Sequence, residues 1–210
     1  MNEKFYALPE EKQSQILNAA YKVFATNQYK KAPTSEIAAE AGISKSLLFH
    51  YFHNKLELYL FLWNYAADLT KKYICKYKVY ETDDFFEMMR RGLMAKCAVM
   101  RKYTFLSLFS INSYFETDPD IQSIIQPDVH DAAQTTMELL LSILNLDLIR
   151  KDVEFVRIYK EILYASDGML KYWYRTGNYD VTAFEQEYLE MINHWEIVYG
   201  KGMENDRKQL

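Results

Sequence analysis

Glycine and proline are scarce in this sequence, with six and four among 210 residues. Breakers this rare, set between long apolar-periodic segments, leave little room for a turn-rich β architecture and favour helices. Cysteine is nearly absent. Cys75 and Cys97 are too few for a disulfide framework or a metal knuckle, and reduced thiols suit a cytoplasmic protein. No apolar run reaches the ~18 residues that a membrane-spanning helix needs. The opening stretch MNEKFYALPEEK carries acids and no apolar h-region, so no secretory leader is expected. Gly-rich phosphate loops, nucleophile elbows and paired-carboxylate motifs are also missing, and catalysis is not expected. Ser166-Asp167 and His130-Asp131 are adjacent acid–nucleophile or acid–base pairs, but neighbours on a helix point apart.

What is present is apolar surface: half of the residues are hydrophobic, enough for a sizeable core. The expected fold is all-α, with about nine helices. The net charge of −4 argues at first against a polyanionic partner. Its distribution reverses that. Residues 1–56 carry seven Lys/Arg against five Asp/Glu, a net of +2, and residues 57–210 carry a net of −6. The charge of the docking face decides, not the overall pI.

Residues 1–8 read as a short, loosely ordered arm. Pro9 opens a helix in its favoured first-turn position, with Glu10 and Glu11 at the positive end of the dipole. Ile16, Leu17, Ala20, Val23 and Phe24 form its apolar stripe, to about Thr26. Asn27 to Pro33 is a polar connection. Thr34 reads as the N-cap of a short helix whose inward face is Ile37, Ala38 and Ala41. Gly42 supplies a left-handed turn, Ile43 plugs it, and Ser44 caps the next helix. Two short helices about a Gly-containing turn are helix–turn–helix grammar. At about 100° per residue, Leu48 and Phe52 face inward, while Ser46, Leu47 and His50 face away. No acid occurs from Gly42 to Leu56, and an acid-free outward face suits a phosphate-lined groove. His50, His53 and Glu57 have a metal-like spacing, but His53-Asn54 falls at a helix junction and further ligands are missing; no metal or cofactor is expected.

Thr34, Ile37-Ala38, Ala41-Gly42-Ile43-Ser44-Lys45, Leu48-Phe49, Tyr51-Phe52 and Lys55 resemble the N-terminal signature of the TetR (tetracycline-repressor) family. The resemblance covers roughly residues 10–60. It implies a three-helix DNA-binding domain, taken here as residues 1–56, and a ligand-binding and dimerisation domain over 57–210. It further implies that Thr34, Tyr51 and Lys55 hold phosphates, with Ser44 at the cap, and that Lys45, Ser46, Leu47 and His50 face base edges. Ser46 stands where that family usually has Gly, and Phe49 where it usually has Tyr. Phe49 therefore reads as packing.

Asn54-Lys55 opens a fourth helix towards Lys78, and Thr82-Asp83-Asp84 caps a fifth. Tyr103 to Phe115 is apolar nearly all round and reads as buried. Thr117 to Gln126 reads as a loop, with Pro127 starting a seventh helix. Asp152 is expected to cap an eighth, to about Thr176 and ended by Gly177-Asn178, and a ninth runs from Thr182 to Tyr199, ended by Gly200 and Gly202, before a polar tail. With 18 Tyr, 12 Phe and 9 Met, core packing accounts for most aromatics, but an apolar ligand pocket with a few polar tips is the functional reading. Candidate lining residues are Trp63, Tyr65, Met89, Met100, Phe105, Phe109, Tyr114, Met137, Tyr164 and Asp167, the last as a partner for a cationic ligand. The resemblance implies a homodimer through Ile158, Ile162, Ala165, Met169 and Trp173 with Phe184, Tyr188, Met191 and Trp195. The expected function is a cytoplasmic dimeric repressor on a palindromic double-stranded DNA operator, released by a small lipophilic or aromatic effector. The alternatives are an activator or ligand-independent regulator and, in another class, a helical ligand-binding protein or enzyme with a vestigial helix–turn–helix.

Overall fold

The computed structural model describes residues 2–177 and 179–201. The expected features at Asn178, Gly202 and the polar tail lie outside these residues. Ten α-helices are described: α1 Glu3–Tyr6, α2 Glu10–Thr26, α3 Thr34–Glu40, α4 Lys45–Phe52, α5 Lys55–Lys76, α6 Phe85–Lys102, α7 Leu106–Tyr114, α8 Pro119–Ile143, α9 Phe155–Thr176 and α10 Val181–Tyr199. The fold is all-α, and among the described residues the only extended pairing is one bridge between Ile149 and Gly200. The chain divides into two compact units. Residues 1–71 with 99–133 form the first, and 72–98 with 134–210 form the second.

The first unit is built on an aromatic core. Tyr59 meets Phe24 and Phe109 edge-on, with centroids 5.0 and 4.9 Å away, and Tyr21 meets Phe109 at 5.3 Å. Such edge contacts suit the ring quadrupoles. Burying two hydroxyls here requires partners. Tyr21 donates to the Leu62 carbonyl at 3.0 Å. The Ser113 hydroxyl donates to the Phe109 carbonyl, so Tyr59 donates to Ser113 at 2.8 Å. Burial pushes the Tyr59 hydroxyl up to about 12.

Several expectations are corrected in this unit. The arm is ordered: α1 drops a fully buried Phe5 onto Phe52 and Phe61, 5.0 and 5.3 Å away. A single large ring supplies enough apolar area to fix a helix too short to form alone. Pro9 takes the cap position rather than the first turn of α2, and Pro33 rather than Thr34 takes that of α3. The Pro33 carbonyl accepts from Glu36 and Ile37, and the Thr34 side chain makes no cap hydrogen bond among the described residues. Pro127 does not start a helix; α8 begins at Pro119 and runs through it. Asp118 caps that start by accepting from the Asp120 amide at 3.0 Å, and Ile121 and Ile125 are fully buried. Packing thus outweighs the hydrogen bond lost at an internal proline.

The second unit gathers Phe85, Phe86 and Met88 of α6, Leu140 of α8 and Leu144 just past its end, and Phe155, Ile158 and Ile162 of α9 into one apolar cluster. Asp84 caps α6 through the Phe86 and Glu87 amides, and Asp180 caps α10 through Thr182 and Ala183. Gly177 ends α9 at φ +72°, as a left-handed C-cap requires. Asp152 does not cap α9. Arg150 holds its carboxylate, and the helix begins at Phe155, whose ring packs edge-on against Phe85.

Candidate nucleic-acid interface

The helix–turn–helix lies in the first unit, and its turn follows from one residue. Gly42, at φ +62°, lets its own amide reach the Ala39 carbonyl and the Ile43 amide reach that of Ala38, at 3.0 and 2.9 Å. That is the paired bonding of a Schellman end. An added Cβ at Gly42 would also meet Gln15 Nε2 at 3.4 Å. Ser44 then caps α4 as expected, accepting from the Leu47 amide at 3.1 Å. Leu48 and Phe52 are fully buried beneath it.

The outward face is as the spacing predicts. Lys45, Ser46, Leu47 and His50 are exposed, and Ser44 shares a hydrogen bond with Ser46 at 2.9 Å. The Lys45 ammonium lies 5.8 Å over the Phe49 ring, which makes Phe49 a half-buried platform for that charge. His53, one residue past α4 at φ +48°, turns its Nδ1 to Glu57 at 2.9 Å and does not join His50. The face therefore presents one cation, two hydroxyls, an imidazole and one apolar tip. These are groups that reach base edges in a major groove.

The expected backbone-holding residues divide. Thr34 is partly exposed with its hydroxyl free of hydrogen bonds among the described residues. Tyr51 departs from expectation: its ring is buried, edge-on to Phe5 and His50, so at most the hydroxyl end reaches outward. Lys55 is partly spent within the protein. Its ammonium sits 4.8 Å over Tyr29 and donates to the Lys30 carbonyl at 3.3 Å. Burial lowers its pKa, and Asp118 and Glu116 oppose that shift. The same turn is held from below. Glu116 accepts from the Tyr29 amide at 2.8 Å, the buried Asp118 faces Lys30 at 3.5 Å, and Asn112 donates to the Ala25 carbonyl at 2.8 Å. Sequence reasoning missed these supports. They are separated from their partners by more than eighty residues, and nothing local marks them.

The expected ligand-lining residues divide between the two units. Trp63, Tyr65, Met100, Phe105, Phe109 and Tyr114 fall in the first unit, and Met89, Met137, Tyr164 and Asp167 in the second. Phe109 and Met100 are fully buried core, Trp63 donates to Asp128, Tyr65 bonds Tyr103, and Tyr164 is 68% exposed. Asp167 is partly buried, which raises its pKa, and the charges of Lys96 and Lys171 oppose that shift. The residues of the expected dimer stripe divide by burial. Ile158, Ile162, Trp173, Phe184 and Tyr188 are buried within the chain, with Ala165, Met169, Met191 and Trp195 partly so. The apolar positions left open on these helices lie elsewhere on them: Leu163, Tyr164 and Tyr172 on α9, and Leu189 and Ile197 on α10.

Comparison with known proteins agrees with this geometry. The family model for bacterial regulatory proteins of the tetR family matches residues 16–61. FasR, a transcriptional activator of Mycolicibacterium smegmatis, is 47% identical over 51 residues, which cover 24% of this chain and 23% of FasR. The match thus spans under a quarter of that relative's length. The fatty acid metabolism regulator protein of Bacillus subtilis is 28% identical over 166 residues, 79% of this chain and 70% of that protein. Among solved structures, the fatty acid degradation regulator FadR of Bacillus halodurans superposes with a TM-score of 0.61 at 19% identity, over 86% of this chain and 94% of that one. A TetR-like regulator from a Rhodococcus species gives 0.58 at 21% identity, over 91% and 98%. These two likenesses are of fold.

Proposed function

We propose that the chain, whose residues 16–61 match the model for bacterial regulatory proteins of the tetR family, is a transcriptional regulator of that family that binds a palindromic operator as a homodimer, represses the genes behind it, and is released by a small lipophilic effector held by its C-terminal helices. The exposed, acid-free face of α4 carries this reading. Lys45, Ser46, Leu47 and His50 stand outward on a helix fixed by a Ser44 cap and a buried Leu48 and Phe52. Thr34 and Lys55, with the hydroxyl of Tyr51, would hold phosphates.

One such helix reads few base pairs, so two copies spaced by about 34–36 Å are required. The exposed Tyr164 and Tyr172 flank Gly168, which has open space around it, and this face of α9 with Leu189 and Ile197 of α10 supports a helix-on-helix dimer. The named role of the two Bacillus relatives in fatty acid metabolism and degradation supports an effector with a hydrocarbon chain. An effector shifts the DNA-binding equilibrium only by its differential affinity for the two conformers. The match to an activator in the DNA-reading segment supports activation as the second reading. Fluorescence anisotropy on the DNA upstream of its own gene tests the proposal, with and without fatty acids. Binding that fatty acids weaken is expected. Binding unchanged by them sinks the effector arm, and no sequence preference sinks the operator arm.

A further inference from the structure

Lys96 of α6 lies in the second unit, far along the sequence from the DNA-reading segment. It lines a recess of about 190 Å³ with Met89, Gly92, Leu93 and Tyr188. The other walls are apolar or already committed. The Ser166 hydroxyl donates to the Ile162 carbonyl, so in the Ser166–Tyr188 hydrogen bond the phenol must be the donor. Tyr188 therefore offers the recess lone pairs only, and Lys96 is the donor on its wall. Among the described residues the Lys96 ammonium makes no hydrogen bond and no ion pair within 4 Å. Burial lowers its pKa, opposed at longer range by Asp167 and Cys97; burial in turn raises Asp167. Both charges are short of solvent and neither holds the other directly, an arrangement that an added anion at Lys96 relieves.

Gly92 adds a second, independent observation. A glycine inside a helix is destabilising relative to alanine. Here a Cβ would meet nothing nearer than Val79 Cγ1 at 4.0 Å. Helix packing does not demand the glycine, whose bare backbone keeps the recess open. Met89 lines the recess and also packs against the apolar cluster of α6, α8 and α9. Its flexible thioether is the side chain best able to part and admit a chain from the recess into that cluster.

We propose that this recess is the carboxylate subsite of the effector site, where the Lys96 ammonium donates to the acid group of an amphiphile and Met89 and Leu93 cover its first carbons. At about 190 Å³ it is smaller than the ~300–1,000 Å³ of a full ligand pocket, so it takes the head of the effector and not its tail. This rests on the reading that a lipophilic effector binds the C-terminal helices, and it excludes an effector whose acid is masked as an ester.

Calorimetric titration of the full-length protein with decanoate, methyl decanoate and decanol tests it, alongside Lys96→Met, Lys96→Arg and Gly92→Leu. The wild type is expected to bind decanoate about tenfold tighter than the ester or alcohol. Lys96→Met, which keeps the stem's volume, should erase that preference and leave decanol affinity unchanged. Lys96→Arg should keep the preference, and Gly92→Leu, which fills the recess, should weaken decanoate. An acid preference that survives Lys96→Met overturns the subsite, as does a wild type that binds all three probes alike; the second result leaves a lipophilic effector standing. Binding of none overturns the effector reading as well.

Discussion

Replacing Phe5 with alanine tests whether the N-terminal arm is a working part of the DNA-reading head. The ring is fully buried, and it contacts Phe52 at 5.0 Å, Phe61 at 5.3 Å and Tyr51 at 6.4 Å. Two of those partners, Tyr51 and Phe52, belong to α4, so the arm braces the inner side of the helix that faces outward with Lys45 and His50. Truncating a buried phenylalanine costs roughly 3–5 kcal/mol inside a rigid core. Phe5 sits at a chain end, where α1 can detach and recover about 1 kcal/mol of backbone entropy per freed residue. The loss is therefore bounded by the docking energy of the arm, and about 2–3 kcal/mol of unfolding free energy is expected. Urea denaturation followed by circular dichroism measures it. DNA affinity should fall with it, because α4 loses part of its support, while the order of preference among operator variants should stay the same, since no outward side chain changes. A midpoint and slope indistinguishable from wild type would refute the reasoning and return the arm to a loose tail.

Other perturbations probe separate parts of the account. Ser44→Ala removes the cap of α4 and should cost about 1 kcal/mol, with Ser44→Gly costing a few tenths, by the same urea assay. Tyr59→Phe tests the buried hydroxyl. Its folded pKa of about 12 lies above the ordinary 10.0, so its contribution is complete below pH 10 and is lost as pH rises from 10 towards 12. With about 1.4 kcal/mol per unit, the wild type should lose about 2–3 kcal/mol more stability over that window than Tyr59→Phe; equal losses contradict the assignment. Tyr172→Glu places a charge beside Gly168 on the open face of α9 and should shift the protein to monomer in sedimentation velocity, with little change in melting temperature. A persistent dimer would move the interface elsewhere.

The all-α class and the helix–turn–helix were legible because local rules govern them. Gly42 needs a left-handed backbone, Ser44 needs a donor to cap, and the acid-free run from Gly42 to Leu56 needs no partner to be noticed. The caps at Asp84 and Asp180 were similarly local. What escaped was set by distant contacts. Phe5 looks like part of a polar arm until Phe61 is placed over it. Pro127 reads as a helix start until Ile121 and Ile125 are found fully buried a turn earlier. Asp152 reads as a cap until Arg150 takes its carboxylate. The stripes of α9 and α10 were visible, but an apolar stripe does not say whether it faces its own chain or a second copy. Here Ile158, Ile162, Phe184 and Tyr188 face their own chain, and the exposed tyrosines between them were left out. Asp167 drew notice as a partner for a cationic ligand, while the more telling Lys96 was hidden by the ordinary look of a lysine on a helix.

The central claim is that α4 reads DNA with Lys45, Ser46, Leu47 and His50. The most direct measurement is anisotropy of labelled upstream DNA against a base-substituted panel, for wild type, Lys45→Ala and His50→Ala. The account predicts a preferred palindrome for wild type, a loss of about 1–3 kcal/mol on that site for each variant, and a changed base preference at the position facing His50. Wild-type affinity and an unchanged preference profile in both variants would contradict it.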